Sequence, residues 1–180
     1  MTIEPGDVLE FWRSAGPDKW FTRSDAFDRE ASARFLNLYD AACSGALRGW
    51  ESTPEGALAL LIVLDQLPRN MFRNEPRAFT ADPLAREVAE RALSRGFDVS
   101  FQVPERRFFY LPFMHSEALA DQERCVALCR AADDEEGAKF AAIHADIIRR
   151  FGRFPHRNRV LGRFTTPEEQ AFLDAGGFAG

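Results

Sequence analysis

Six arginines and one histidine fall within the fifteen residues from Arg149 to Arg163, RRFGRFPHRNRVLGR, with no acidic residue among them. Guanidinium groups meet carboxylate and phosphate oxygens in a planar two-point geometry that lysine cannot match. Phe151, Phe154 and Leu161 are interleaved with the charges, together with two glycines and Pro155, so the segment reads as a folded loop built around cations. Gly152 admits a tight or left-handed turn. Such a loop either binds an anion or is tied down by carboxylates from elsewhere in the chain. Arg153, His156, Arg157 and Asn158, crowded around Pro155, are its candidate ligand-binding residues.

A second polar segment is Asp65-Gln66-Leu67-Pro68-Arg69-Asn70-Met71-Phe72-Arg73. Asp65 and Gln66 stand in the last turn of the most apolar helix of the chain, where unpaired polar groups are costly. Two readings stay open. Asp65 pairs with Arg69 or Arg73 inside the fold, or Arg69, Asn70 and Arg73 rim a pocket and donate to an anionic ligand. A third segment runs from Arg106 and Arg107 through FFYLPFM to His115, Ser116 and Glu117, with Asp121-Gln122 following. Arg107 joins the candidate donors. Ser116 reads as an N-cap that puts Glu117 and Asp121 at i, i+4 on one helix face, where His115, Glu117 and Asp121 could act as acid and base. One histidine beside two carboxylates is a weak metal pattern, and no metal is expected. His144 shares a 4, 3, 4 spacing with Phe140, Ile147 and Phe151, which predicts a buried stripe on the helix that leads into the arginine loop.

The elements that must position these residues are helices. Val8, Phe11 and Trp12 mark a first helix from about Asp7 to Arg13, and Ser24 caps a second that carries Phe27, Ala31, Phe35, Leu38 and Tyr39. Thr53-Pro54 opens an apolar helix, GALALLIVLDQL, which Pro68 is expected to end. Asp82-Pro83 repeats the cap-then-proline signal. Pro104 starts a short aromatic helix, RRFFYL, stopped by Pro112. Helices then follow over roughly Glu117 to Ala132 and Gly137 to Phe151, and Thr166-Pro167-Glu168-Glu169 begins the last. The pattern is a single all-α domain over residues 1–180, with seven or eight helices in antiparallel hairpins.

Composition sets outer bounds. Apolar residues make up 46% and charged residues 28% of 180 residues, the balance of an ordinary globular chain. The net charge of −5 argues against a general nucleic-acid binder. No apolar run is long enough to span a membrane, and MTIEPGDVLEFW lacks the form of a signal peptide, so no membrane partner and a cytoplasmic location are expected. Cys43, Cys125 and Cys129 read as reduced thiols, the latter two as small core residues on one helix face. Glycine-rich phosphate loops, nucleophile elbows and EF-hands are missing from the sequence, and no cofactor is expected.

The strings LDQLPRNMFR at Leu64–Arg73, RRFFYLPFMHSE with the following DQ, and RFGRFPHRN with LGR and TxEE after it resemble a bacterial family known only as domain of unknown function 924. The resemblance implies an all-helical fold similar to tetratricopeptide-repeat proteins, whose concave surfaces bind peptides. It implies no activity and carries over no catalytic residue. Three functions follow from the residues. The first is a binding module with an arginine- and histidine-lined pocket for an anionic small molecule, an acidic peptide or an acidic protein partner. The second is a hydrolase or transferase on a phosphate- or carboxylate-bearing substrate, with His115 or His144 as general base oriented by Asp65 or Glu117. The third is a purely structural role, in which the arginines form buried ion pairs. Nothing in the pattern specifies an oligomeric state.

Overall fold

The computed structural model describes residues 2–178, so Met1, Ala179 and Gly180 of the expected 1–180 domain lie outside the described residues. Among the described residues every regular element is helical. They group into two compact units: the residues up to Arg73 with Arg77–Pro112, and Asn74–Pro76 with the residues from Phe113 onward. No helix among the described residues is long and apolar enough to cross a membrane.

The first unit contains α1 (Pro5–Ala15), α2 (Pro17–Trp20), α3 (Asp25–Cys43), α4 (Pro54–Leu61), α5 (Leu67–Met71) and α6 (Asp82–Ser94), and α7 (Leu111–Met114) begins in it. Ser24 caps α3 by accepting the Phe27 N–H, and Thr53 caps α4 by accepting the Gly56 N–H at 3.1 Å. Gly56 is required, because a Cβ there would lie 2.1 Å from the Trp50 carbonyl oxygen. Helix α4 is buried all round and packs on α1 and α6, while α3 packs on α5. Each fully buried leucine of α4 stabilises the unit by roughly 1.5–3 kcal/mol. Phe11, Trp12, Trp20, Phe27, Phe35 and Phe108 stack and cross at ring-centroid distances of 4.9–6.0 Å.

Three boundaries differ from the sequence reading. Pro68 does not end the apolar helix. A π-helical turn, Ile62–Gln66, follows α4, and Leu67 N–H donates five residues back to the Ile62 carbonyl. This resets the ladder, so Pro68 lies at the start of α5, where its missing N–H costs nothing. Ala81, not Asp82, caps α6; Asp82 is its first residue and its carboxylate is engaged by Arg69. Pro104 leads into a 3₁₀ turn, Glu105–Phe109, and Pro112 is tolerated as the second residue of α7.

The second unit is built on a helical hairpin of α8 (Leu119–Ala131) and α9 (Glu135–Phe151). Asp133 turns the chain with φ 54°, and Asp134 caps α9 by accepting the Gly137 N–H at 2.9 Å. Cys125 and Cys129 are fully buried on α8, as small core residues. The hydrogen bond with the neighbouring Cys129, then burial, pushes the Cys125 thiol far up, which disfavours the reactive thiolate. Gly152 ends α9 in the left-handed conformation, a 3₁₀ turn at Pro155–Arg157 follows, and α10 (Pro167–Asp174) completes the unit. The expected α9 stripe is narrower than its spacing suggested: His144 and Ile147 are buried, but Phe140 is 43% exposed.

Candidate functional site

The candidate residues fall into two groups, one per unit. In the first unit, Asp65 is 1% exposed, and its carboxylate accepts from Gln66. Arg69 donates to the Asp65 carbonyl and forks onto Asp82 with two bonds of 3.1 Å. Burial disfavours the charge on Arg69, but Asp65 and Asp82 more than offset it and hold the guanidinium protonated. Asn70 Nδ2 donates to Asp28 Oδ1 at 2.8 Å, and Arg73 Nη2 reaches the same oxygen at 3.2 Å. Arg107 is buried on the 3₁₀ turn. Beside it, Arg106 and Tyr110 converge on Asp98, at 3.0 and 2.8 Å. The donors of Arg69, Asn70 and Arg73 therefore point at carboxylates of their own unit.

In the second unit the arginine loop is clamped twice. Arg153 forks onto Glu169 at 2.6 and 2.9 Å and donates to the Phe164 carbonyl at 2.7 Å. The same carboxylate accepts from Asn158 Nδ2 at 3.1 Å and from the Thr166 N–H at 2.8 Å. These bonds, Arg153 foremost, push Glu169 down to about 2. Sequence reading saw Glu169 only as part of a helix-start signal, and the capping box is there, since Thr166 Oγ accepts the Glu169 N–H. Its pairing with Arg153 spans sixteen residues and had no local signal.

Glu117 forms the second clamp. It precedes α8, whose N-cap is Ala118, so it does not share a helix face with Asp121. Ser116 is likewise no N-cap: its hydroxyl donates to Asp121 at 2.6 Å and accepts the Ala118 N–H. Glu117 instead accepts from Arg163 at 2.7 and 2.9 Å and from the Phe154 N–H at 2.8 Å. Burial alone pushes this carboxyl up, but Arg163 and the Phe154 amide hold it below the ordinary range.

Between the clamps lies an aromatic ring of four. Phe154 contacts His144 and His156, each at 5.6 Å between centroids. Phe178 closes the circuit at 4.4 Å from His144 and 5.4 Å from His156. The Arg157 guanidinium lies 4.6 Å above the Phe154 ring. His144 Nδ1 donates to the Phe140 carbonyl at 2.8 Å, so its partner is backbone rather than a carboxylate. His156 Nδ1 and Asn158 Oδ1 are buried without hydrogen-bond partners among the described residues. Burial, then His115 and Arg157, pushes His144 down to about 4. Burial, then Arg157, His144 and His115, pushes His156 down to about 3 against the opposing pull of Glu117. All three histidines of the chain are thus within electrostatic reach of one another, and both ring members are neutral at pH 7.

The arrangement is rich in hydrogen-bond donors and poor in acids. Glu117 is a carboxylate that acts on His156, and it already serves Arg163. A surface groove of about 480 Å³ beside the Arg153–Glu169 clamp is different: Arg150 and Arg153 there are matched by Glu168 and Glu169. No group of three or more histidine, cysteine or acidic side chains among the described residues is placed to hold a metal ion.

Residues 8–177 match the family described as bacterial protein of unknown function, DUF924. The chain belongs to the DUF924 family. A solved structure, that of the protein of unknown function ATU0120 from Agrobacterium tumefaciens, is similar at 45% identity and a TM-score of 0.92. The similarity covers 96% of this chain and 97% of that one. No curated protein matches. Family membership accounts for the long motif strings and the all-helical fold, and it assigns no activity.

Proposed function

We propose that this DUF924 protein is a cytoplasmic, non-catalytic binding module of tetratricopeptide-like stacked hairpins, and that its second unit recognises an anion at His115, His144, His156 and Arg157. The anion is the carboxylate or phosphate of a small molecule or of an acidic peptide. The observation that carries this reading is the buried, unpartnered His156 Nδ1 beside Arg157, in a cluster where the nearby carboxylate is already clamped. A buried polar atom without a partner is rare and calls for an explanation, and a bound group is the one this reading supplies. A general-base role is less well supported, because His144 is bonded to backbone and both ring histidines titrate far below neutrality.

The reading is tested by calorimetry with inorganic phosphate and a short acidic peptide, using wild type, Arg157→Gln and His156→Ala. A bound anion raises the pKa of each nearby imidazole, so binding takes up protons and affinity rises as pH falls from 7 to 5. Loss of binding in both variants with retained cooperative unfolding is the expected result. Equal affinity in all three proteins, or no binding to wild type, rejects the site.

A further inference from the structure

Phe178 completes the aromatic ring of four from outside the α8–α9 hairpin, and we propose that it occupies the slot of an aromatic ring belonging to the ligand. The anion recognised by this site is then carried on a flat aromatic group, as in an aryl phosphate or an aryl carboxylate. This deepens the anion reading and rests on it.

Three members of the ring are fixed. His144 is buried on α9 and tied to the Phe140 carbonyl, and Phe154 is fully buried with its N–H bonded to Glu117. His156 sits on the 3₁₀ turn that starts at Pro155. The fourth member arrives differently. After α10 the chain turns at Gly176, with φ 78°, and at Gly177, whose Cβ position is filled by the Phe172 ring 2.5 Å away. The turn's backbone bonds run from Gly176 to Leu173 and from Gly177 to Phe172. Beyond them Phe178 packs against the two imidazoles and the cluster of Ile147, Ile148 and Phe154.

Phe178 is therefore the partly buried member of the ring, packed from α10's side onto a frame of His144, Phe154 and His156. It meets His144 at 59° and His156 at 78°, arrangements that any neutral aromatic ring of similar size reproduces. The frame also holds polar capacity that a phenylalanine cannot use, since His156 Nδ1 is buried and unpartnered among the described residues; the Arg157 guanidinium lies over Phe154 and adds positive charge nearby. A ligand ring in the Phe178 slot gains the same stacking, while its anionic substituent meets His156 Nδ1 in the field of Arg157. Displacing Phe178 also rehydrates the imidazoles. The charged and titratable groups around them are His115 and Arg157 for His144, and Arg157, His144, His115 and Glu117 for His156.

The test compares wild type with Phe178→Ala and Phe178→Leu. Leucine retains apolar packing on Ile147 and Ile148 and so keeps the comparison usable if the alanine variant does not fold. Inorganic phosphate, phenyl phosphate and N-acetylphenylalanine are titrated into each protein, and the imidazole resonances are followed against pH without ligand. Vacating the slot is expected to tighten the aryl anions about tenfold, the scale of two aromatic pairs no longer needing to be broken, and to leave inorganic phosphate within about twofold. Whichever aryl anion gains more identifies phosphate or carboxylate as the preferred group. The two imidazole titrations are expected to move up towards 6.5 in the variants. If phosphate binds but the aryl anions gain no more than phosphate does, the slot proposal is overturned and the anion site stands. If no probe binds any of the proteins, both fall. Unchanged imidazole titrations overturn the slot proposal alone.

Discussion

Mild acid is expected to destabilise this protein through two histidines. His144 and His156 have folded pKa values of about 4 and about 3, against about 6.5 in the unfolded chain. The unfolded state therefore binds more protons below pH 6.5, and stability is lost as pH falls from 6.5 towards 4. Each such group costs about 1.4 kcal/mol per pH unit inside that window. From pH 7 to pH 5, His144 alone costs about 2 kcal/mol, and the pair about 3 once partial water access to His156 is discounted. Glu169, held down to about 2, works in the same direction but only below about 4.5, so it does not enter this range. Urea unfolding at pH 7, 6 and 5 measures the effect in wild type and in a His144→Gln/His156→Gln variant. The variant is expected to lose less than about 1 kcal/mol over the range. A wild type equally stable at pH 7 and 5, or a variant that loses as much as wild type, refutes the reasoning.

Two further outcomes follow from the ion pairs. Glu169→Gln strips Arg153 of its charged partner, and is expected to lower the thermal midpoint. Asp82→Asn is expected to cost about 3–5 kcal/mol in urea because it removes the buried carboxylate on which the Arg69 fork closes.

Helix starts were legible where a side chain makes the cap: Ser24, Thr53 and Thr166 all accept the expected amide. Asp82 and Ser116 look alike in sequence and do something else: Asp82 accepts from Arg69, while the Ser116 hydroxyl donates to Asp121 and accepts the Ala118 amide. Pro68 misled for a different reason. A π turn changes which carbonyl needs an amide, and composition carries no trace of it. In the candidate site, the arginine cluster and its mixture with aromatics could be read directly. Which acid meets which guanidinium could not, since Asp28 with Arg73 and Glu117 with Arg163 are pairings across 45 and 46 positions. Phe178 was invisible as a site residue because only the fold brings it to His144.

The π turn has a consequence for how the first unit is phased. Successive residues of an α-helix advance by about 100°, so one extra residue per turn rotates everything beyond it by that angle. Upstream of the turn, the helix presents apolar side chains on every side. Downstream, Arg69, Asn70 and Arg73 must all face Asp28 and Asp82. Deleting one residue between Ile62 and Gln66 would restore a regular helix and swing these three side chains away from both acids without altering any of them. The direction in which the LDQLPRNMFR motif looks is thus set by a dislocation in the backbone, and alignments that place a gap there would misjudge the motif's orientation.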